Sequence, residues 1–155
     1  MKSKSVLFFL ITIILSCTTQ ETEDLSDKNQ IQLNGTWKLI SGTIILKGDS
    51  TVTDYTKNVS FVKIINNSHF AFLQHDLQNG KDSGAVFVAG GGKYELKDSI
   101  YTEHLEYCSA REWEGNDFRF IVTLKNDTLT QKGIEKVEKL GIEQVNIEKY
   151  VRVRD

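Results

Sequence analysis

From Trp37 to the end of the chain the apolar residues recur every second position, and this period constrains the fold more than any other feature of the sequence. In Phe118-Arg-Phe-Ile-Val-Thr-Leu124, Phe118, Phe120, Val122 and Leu124 share one face, while Arg119, Ile121 and Thr123 share the other. Asn126-Asp127 then supplies a turn, and a two-residue loop there pairs Leu124 with Leu129 and Val122 with Gln131. Gln131 is thereby placed on the apolar face. Further strands are expected at Trp37 to Leu46, Thr51 to Tyr55, Ala85 to Ala89 and Gln144 to Val153. Ile134, Val137 and Leu140 are spaced by three, which predicts a short helix over Ile134 to Gly141. No β-α-β alternation or internal repeat is visible. The 155 residues contain no Pro, so nothing removes a donor N–H from a strand.

Two more hairpins set the expected interior. The first joins Tyr94–Leu96 to Ser99–Tyr107 through Lys97-Asp98, with Tyr94 facing Tyr101 and Gly92 facing Glu103. One face then carries Tyr94, Leu96, Tyr101, Glu103, Leu105 and Tyr107; the other carries Lys93, Glu95, Ile100, Thr102, His104, Glu106 and Cys108. The second face holds most of the charge, so the first is expected inside. The other hairpin joins Phe61–Ile65 to His69–Leu73 around Asn66-Asn67-Ser68. A three-residue loop gathers Val62, Ile64, Phe70 and Phe72 on one apolar face, whereas a two-residue loop mixes Lys63 with the Phe residues; the first register is expected.

The N-terminus has a different plan. Lys2 and Lys4 precede a run from Val6 to Leu15 that is apolar except for Thr12, and Ser16-Cys17 follows. That is a signal-peptide pattern, and the run is too short for the roughly 20 residues of a spanning helix. Ile14-Leu15-Ser16-Cys17 resembles the lipobox of bacterial lipoproteins, which implies cleavage after residue 16, acylation of Cys17 and anchoring in the cell envelope, with the outer membrane expected. Residues 17–32 read as a polar tether whose Glu21, Glu23 and Asp24 suit either a solvated linker or an acidic surface-export signal, and 33–155 as one domain. Loss of residues 1–16 leaves 17 basic against 21 acidic residues, which offers no attraction to nucleic acid. With Cys17 acylated, Cys108 has no intrachain partner.

Gly35-Thr36-Trp37-Lys38-Leu39 on the first strand and Tyr150-Val151-Arg152 on the last resemble the Gly-x-Trp start and closing strand of lipocalins and the wider calycin group. The resemblance implies an all-β, antiparallel up-and-down lipocalin-like β-barrel of about eight to ten strands, with a short helical segment before the last strand. It also implies that Gly35, Trp37 and Arg152 close one end, the guanidinium stacking on the indole. His69-Phe70-Ala71-Phe72, Gly90-Gly91-Gly92-x-Tyr94 and Tyr101-Thr102-Glu103 are similar to small lipocalin-like lipoproteins of Bacteroidota, a likeness that is informative on fold rather than function.

The candidate chemistry centres on Glu103, a carboxylate expected among Tyr side chains and therefore costly unless paired, hydrated or protonated. A ligand site is expected from Phe70, Phe72, Tyr94, Tyr101, Leu105, Tyr107, Phe118 and Phe120, with Glu103 and Gln131 orienting a small apolar or amphipathic molecule. Glu103 with lumen Tyr residues also has the parts of a lyase or isomerase, but no catalytic signature is legible. The competing class is an interaction module with a packed core; a cavity of a few hundred Å³ favours the carrier. Among His69, His75 and His104, only His104 has strand spacing to a second ligand type, Glu106 or Cys108, so no metal or other cofactor is expected. Gly90-Gly91-Gly92 lacks the Lys-Ser/Thr and helix of a phosphate loop and reads as a bulge in a curved sheet. Trp113 lies in a polar loop, placed either as a lid or as a rim contact. Asp49-Ser50-Thr51, Asp98-Ser99-Ile100 and Asp127-Thr128-Leu129 resemble the O-glycosylation acceptor of Bacteroidota and equally make turns into strands. A monomer is expected.

Overall fold

A computed structural model describes residues 31–154 of the chain, so the signal sequence, Cys17 and most of the tether lie outside the described residues. The alternating pattern becomes nine antiparallel strands: β1 Gly35–Leu46, β2 Asp49–Asp54, β3 Val59–Ile65, β4 His69–Asp76, β5 Phe87–Lys97, β6 Ile100–Cys108, β7 Asn116–Lys125, β8 Thr128–Val137 and β9 Ile142–Arg152. Each strand pairs with the next in sequence from β3 onward, and β9 returns to β1, closing an eight-stranded barrel. The start of β1 pairs with β3, while its second half carries β2 as an additional, fully exposed strand. Closure removes the free edges that an open sheet of this size would expose, apart from the outer edge of β2.

The strand directions divide the barrel into two ends. One end holds residues 31–34, the tight turns at 66–68, 98–99 and 126–127, and residues 153–154. Here Trp37 is completely buried and its indole Nε1 donates to Leu33 O at 2.7 Å. The Arg152 guanidinium carbon stacks 4.1 Å from the centre of the indole. Its Nη1 and Nη2 donate to Asn34 O (2.6 Å) and Gln32 O (2.8 Å), so one side chain covers the barrel floor and satisfies the incoming backbone. Gly35, with φ +137°, admits this packing: a Cβ there would collide with Arg152 Nη1.

The opposite end carries the longer connections. Asp76 organises the β4–β5 loop by accepting from the backbone N–H groups of Gln78 and Gly80, both at 2.9 Å, and of Val86 at 3.2 Å. In the β6–β7 loop, Glu114 accepts from Cys108 N at 2.8 Å and pairs with Arg111 at 3.0 Å. Asn116 Nδ2 donates to Trp113 O at 2.9 Å, so this short 3₁₀ turn, Arg111–Trp113, is tied at both ends.

Several local expectations change. The helix expected over Ile134 to Gly141 is only a 3₁₀ turn, Glu138–Leu140, because Ile134–Val137 continue β8 in register with β9 and Gly141 (φ 63°) ends the turn. The β5–β6 hairpin turns at Asp98-Ser99, two residues out of the expected register, pairing Tyr94 with Glu103 and Leu96 with Tyr101. A shift of two preserves the faces, so Tyr101, Glu103 and Leu105 do point inward. Between Gly91 and Gly92 the register shifts by one residue, and beyond that bulge the faces exchange: Tyr107 is 68% exposed and Cys108 is buried. Gly92 is required there, since a Cβ would run into the His104 carbonyl oxygen. In β3–β4 the pairing is Ile65 with Phe70 and Lys63 with Phe72, so Val62 and Ile64 face outward and Lys63 faces the lumen. The all-apolar face is given up because the interior contains a carboxylate that needs Lys63.

Replacing Arg152 by Ala removes two charge-assisted hydrogen bonds and the indole stack, and is expected to cost about 2–3 kcal/mol in urea unfolding. Arg152→Lys should recover less than half of this because the two-pronged contact is lost. Arg154→Ala, at an exposed site, should change stability by less than about 0.5 kcal/mol.

Candidate functional site

The closed half of the barrel is filled. Leu39, Ile65, Phe70, Tyr101, Val122 and Leu129 are all buried there, and Tyr94 is tied to the end by donating its hydroxyl proton to Asn66 O at 2.7 Å. Above this packing lies a polar layer. Lys63 Nζ donates to Glu103 Oε1 at 2.6 Å and to Gln131 Oε1 at 3.1 Å. The ammonium also stands 5.3–5.8 Å from the ring centres of Tyr150, Phe70 and Tyr101. Strands β3, β6 and β8 thus each contribute one member, and the cation's remaining surroundings are aromatic faces that favour it electrostatically. The Tyr101 hydroxyl, also buried, has no hydrogen-bond partner among the described residues.

Above the polar layer the lumen opens into a cavity of about 330 Å³. Its floor is Lys63, Glu103 and Gln131; its apolar wall includes Phe61, Phe72, Leu105, Phe118 and Phe120. Trp113 and Ala110 from the β6–β7 loop, Val88 from β5 and Tyr55 after β2 surround the mouth. Phe61 stacks on Phe72 (centroids 6.0 Å) and meets Tyr55 edge-on at 5.8 Å, while Trp113 lies 5.9 Å from Phe118. Apolar side chains that face one another across an unfilled space make the cavity sticky toward an apolar guest.

The remaining wall, from β8 and β9, is polar. In this pair Gln131 opposes Glu148, Gly133 opposes Asn146 and Glu135 opposes Gln144. Glu135 accepts from Asn146 Nδ2 at 2.7 Å on one oxygen and from Gln144 Nε2 at 3.0 Å on the other. Glu148 accepts from the Tyr150 hydroxyl at 2.7 Å. Burial pushes the Glu135 carboxyl above its ordinary range, and the two amide donors only partly oppose this. Burial likewise raises Glu103, against the pull of Lys63. Tyr55 and Tyr150 are raised by burial and by the nearby negative charge of Glu148.

Of the expected ligand residues, Phe72, Glu103, Leu105, Phe118, Phe120 and Gln131 line this cavity. Phe70, Tyr94 and Tyr101 belong to the packing at the closed end, and Tyr107 lies outside the barrel beyond the bulge. Lys63, Phe61, Glu135, Glu148 and Tyr150 were not expected in the site. Glu135 and Glu148 were legible in the sequence: counting by two from Gln131 reaches Glu135, and counting back from Tyr150 reaches Glu148. The three-residue spacing of Ile134, Val137 and Leu140 masked that count. His104 pairs with Asp117 at 2.8 Å, and among the described residues no group of three His, Cys, Asp or Glu side chains is placed to hold a metal.

No family model matches the chain, and no curated protein matches it. Among solved structures, the chain is similar to an uncharacterised protein from Bacteroides eggerthii at 12% identity and TM-score 0.47, over 79% of this chain and all of the other.

The polar floor yields a pH-dependent prediction. Lys63→Met leaves Glu103 buried without its cation and should cost about 3–5 kcal/mol at pH 8. Its carboxyl then titrates still further above the unfolded value, so the folded variant holds a proton that the unfolded chain releases. Stability from such a group is complete below the unfolded value and is lost as pH rises through the folded one. The deficit at pH 5 should therefore be less than half that at pH 8, and Lys63→Met with Glu103→Gln should lie closer to the parent at both, as chemical denaturation will measure.

Proposed function

We propose that this protein is a lipid-anchored envelope lipoprotein whose barrel binds a small amphipathic molecule in the open half of its lumen. The observation that carries the reading is the cavity of about 330 Å³. Aromatic side chains cover one side of it and hydrogen-bonding groups the other, the combination typical of small-molecule sites. A core serving only as an internal support would have no use for such a space, because unfilled volume lowers stability.

The topology adds a direction. The chain enters at the end closed by Trp37 and Arg152, and the mouth lies at the other end, framed by Tyr55, Val88, Ala110 and Trp113. A lipid on Cys17 would attach the molecule through the closed end. The mouth then points away from the point of attachment, which suits a carrier that exchanges its guest with the aqueous phase or a partner protein.

Native mass spectrometry of the protein purified from its host membrane is expected to show a co-purifying small molecule. The same protein should enhance the fluorescence of the neutral probe N-phenyl-1-naphthylamine, and Val88→Trp, which fills the mouth, should abolish the enhancement without lowering the thermal midpoint. An empty protein that also ignores the probe would count against the reading. For the anchor, Cys17→Ala should move the protein from the membrane fraction to the soluble fraction.

A further inference from the structure

Four charged side chains face the cavity, one from each of β3, β6, β8 and β9: Lys63, Glu103, Glu135 and Glu148. Lys63 is committed to Glu103 and Gln131 at the floor. That pair is neutral as a unit. Glu135 and Glu148 stand along the β8–β9 wall, and among the described residues neither has a Lys, Arg or His within ion-pair distance. Their partners are neutral donors: two carboxamides on Glu135, one phenol on Glu148.

The two carboxamide donors on Glu135 suit an anion and work against the upward pull of burial. Both oxygens accept a hydrogen bond, and a carboxylate is the form with two acceptors and no donor. Strands β8 and β9 thus present an anionic wall across from the aromatic one. Tyr55, Phe61 and Tyr150 lie along the join between the two, and ring faces of this kind attract a cation.

We infer that the guest is an organic cation with an apolar body, its ammonium or amidinium group held by Glu135 and Glu148 and its body by the Phe61, Phe72 and Phe118 side of the cavity. This assignment rests on the binding reading above and names the class of ligand that reading leaves open. It also gives a role to two partly buried carboxylates that lack a cationic partner: a positive guest would neutralise the charge they present to the cavity. An anionic guest would meet like charge on one wall and find the one ammonium already engaged.

Three ligands with a common body separate the possibilities: 2-(2-naphthyl)ethylamine, 2-(2-naphthyl)ethanol and 3-(2-naphthyl)propionate, each measured at pH 7.5 by displacement of N-phenyl-1-naphthylamine and by calorimetry. The amine is expected to bind at least tenfold more tightly than the alcohol, and the propionate most weakly. Glu135→Gln and Glu148→Gln should each reduce the amine-to-alcohol ratio by threefold or more while leaving the alcohol and the neutral probe bound, which also shows that the variants are folded. Equal affinity for amine and alcohol, or a ratio untouched in both variants, would overturn the cationic assignment and leave the cavity reading standing. Failure of all three ligands and the probe to bind would overturn both.

Discussion

The ion pair between Lys63 and Glu103 is the constraint around which the interior is arranged. Two charges inside a barrel of this size are costly, and neither is tolerable alone. Their mutual attraction, the additional acceptor from Gln131 and the three surrounding rings make them tolerable together. The register of β3 against β4 follows: Lys63 must turn inward, which sends Val62 and Ile64 to the outside and brings Phe61 and Ile65 in with it. The pair also sets the level at which packing stops. Below it the side chains close on Trp37 and Arg152; above it the lumen stays open.

A polar layer at mid-barrel separates two kinds of construction. The closed end is specified by shape: an indole, a guanidinium and a glycine that fit in one way. The open end is specified by chemistry, with carboxylates and carboxamides along β8–β9 opposite aromatic rings from β3, β4 and β7. Loops at this end are held by Asp76 and Glu114 through backbone N–H groups, and Tyr55 and Trp113 pack on Phe61 and Phe118, so the mouth is built on fixed turns seated on the core.

Much of the barrel was legible in the alternation of residues. The β7–β8 hairpin, with Leu124 opposite Leu129 and Val122 opposite Gln131, stands in the register that its Asn126-Asp127 turn implies. Elsewhere local rules met a competing term that pattern counting does not contain. At β3–β4 the count of apolar residues favoured Val62 and Ile64, but charge neutralisation across forty residues of sequence favoured Lys63. At β5–β6 the alternation was sound up to Gly92, and the bulge then moved Tyr107 out and Cys108 in. A bulge adds one residue to one strand only, so the glycines announce its presence but not which neighbours exchange faces. Around Ile134 to Leu140 a three-residue spacing arose by chance across the exposed Ile134, the buried Val137 and the 3₁₀ turn at Leu140, and it concealed Glu135, one of the two carboxylates of the β8–β9 wall.

The inward position of Lys63 is the point on which the floor, the cavity and the register of β3 all depend. Reductive methylation of the native protein with formaldehyde and a borohydride reagent, followed by peptide mass spectrometry, measures the accessibility of each lysine directly. Lys63 should remain unmodified under conditions that fully methylate the exposed Lys38, and should react once the protein is unfolded. Methylation of Lys63 at the same rate as Lys38 in the folded protein would place it on the outer surface and contradict the account.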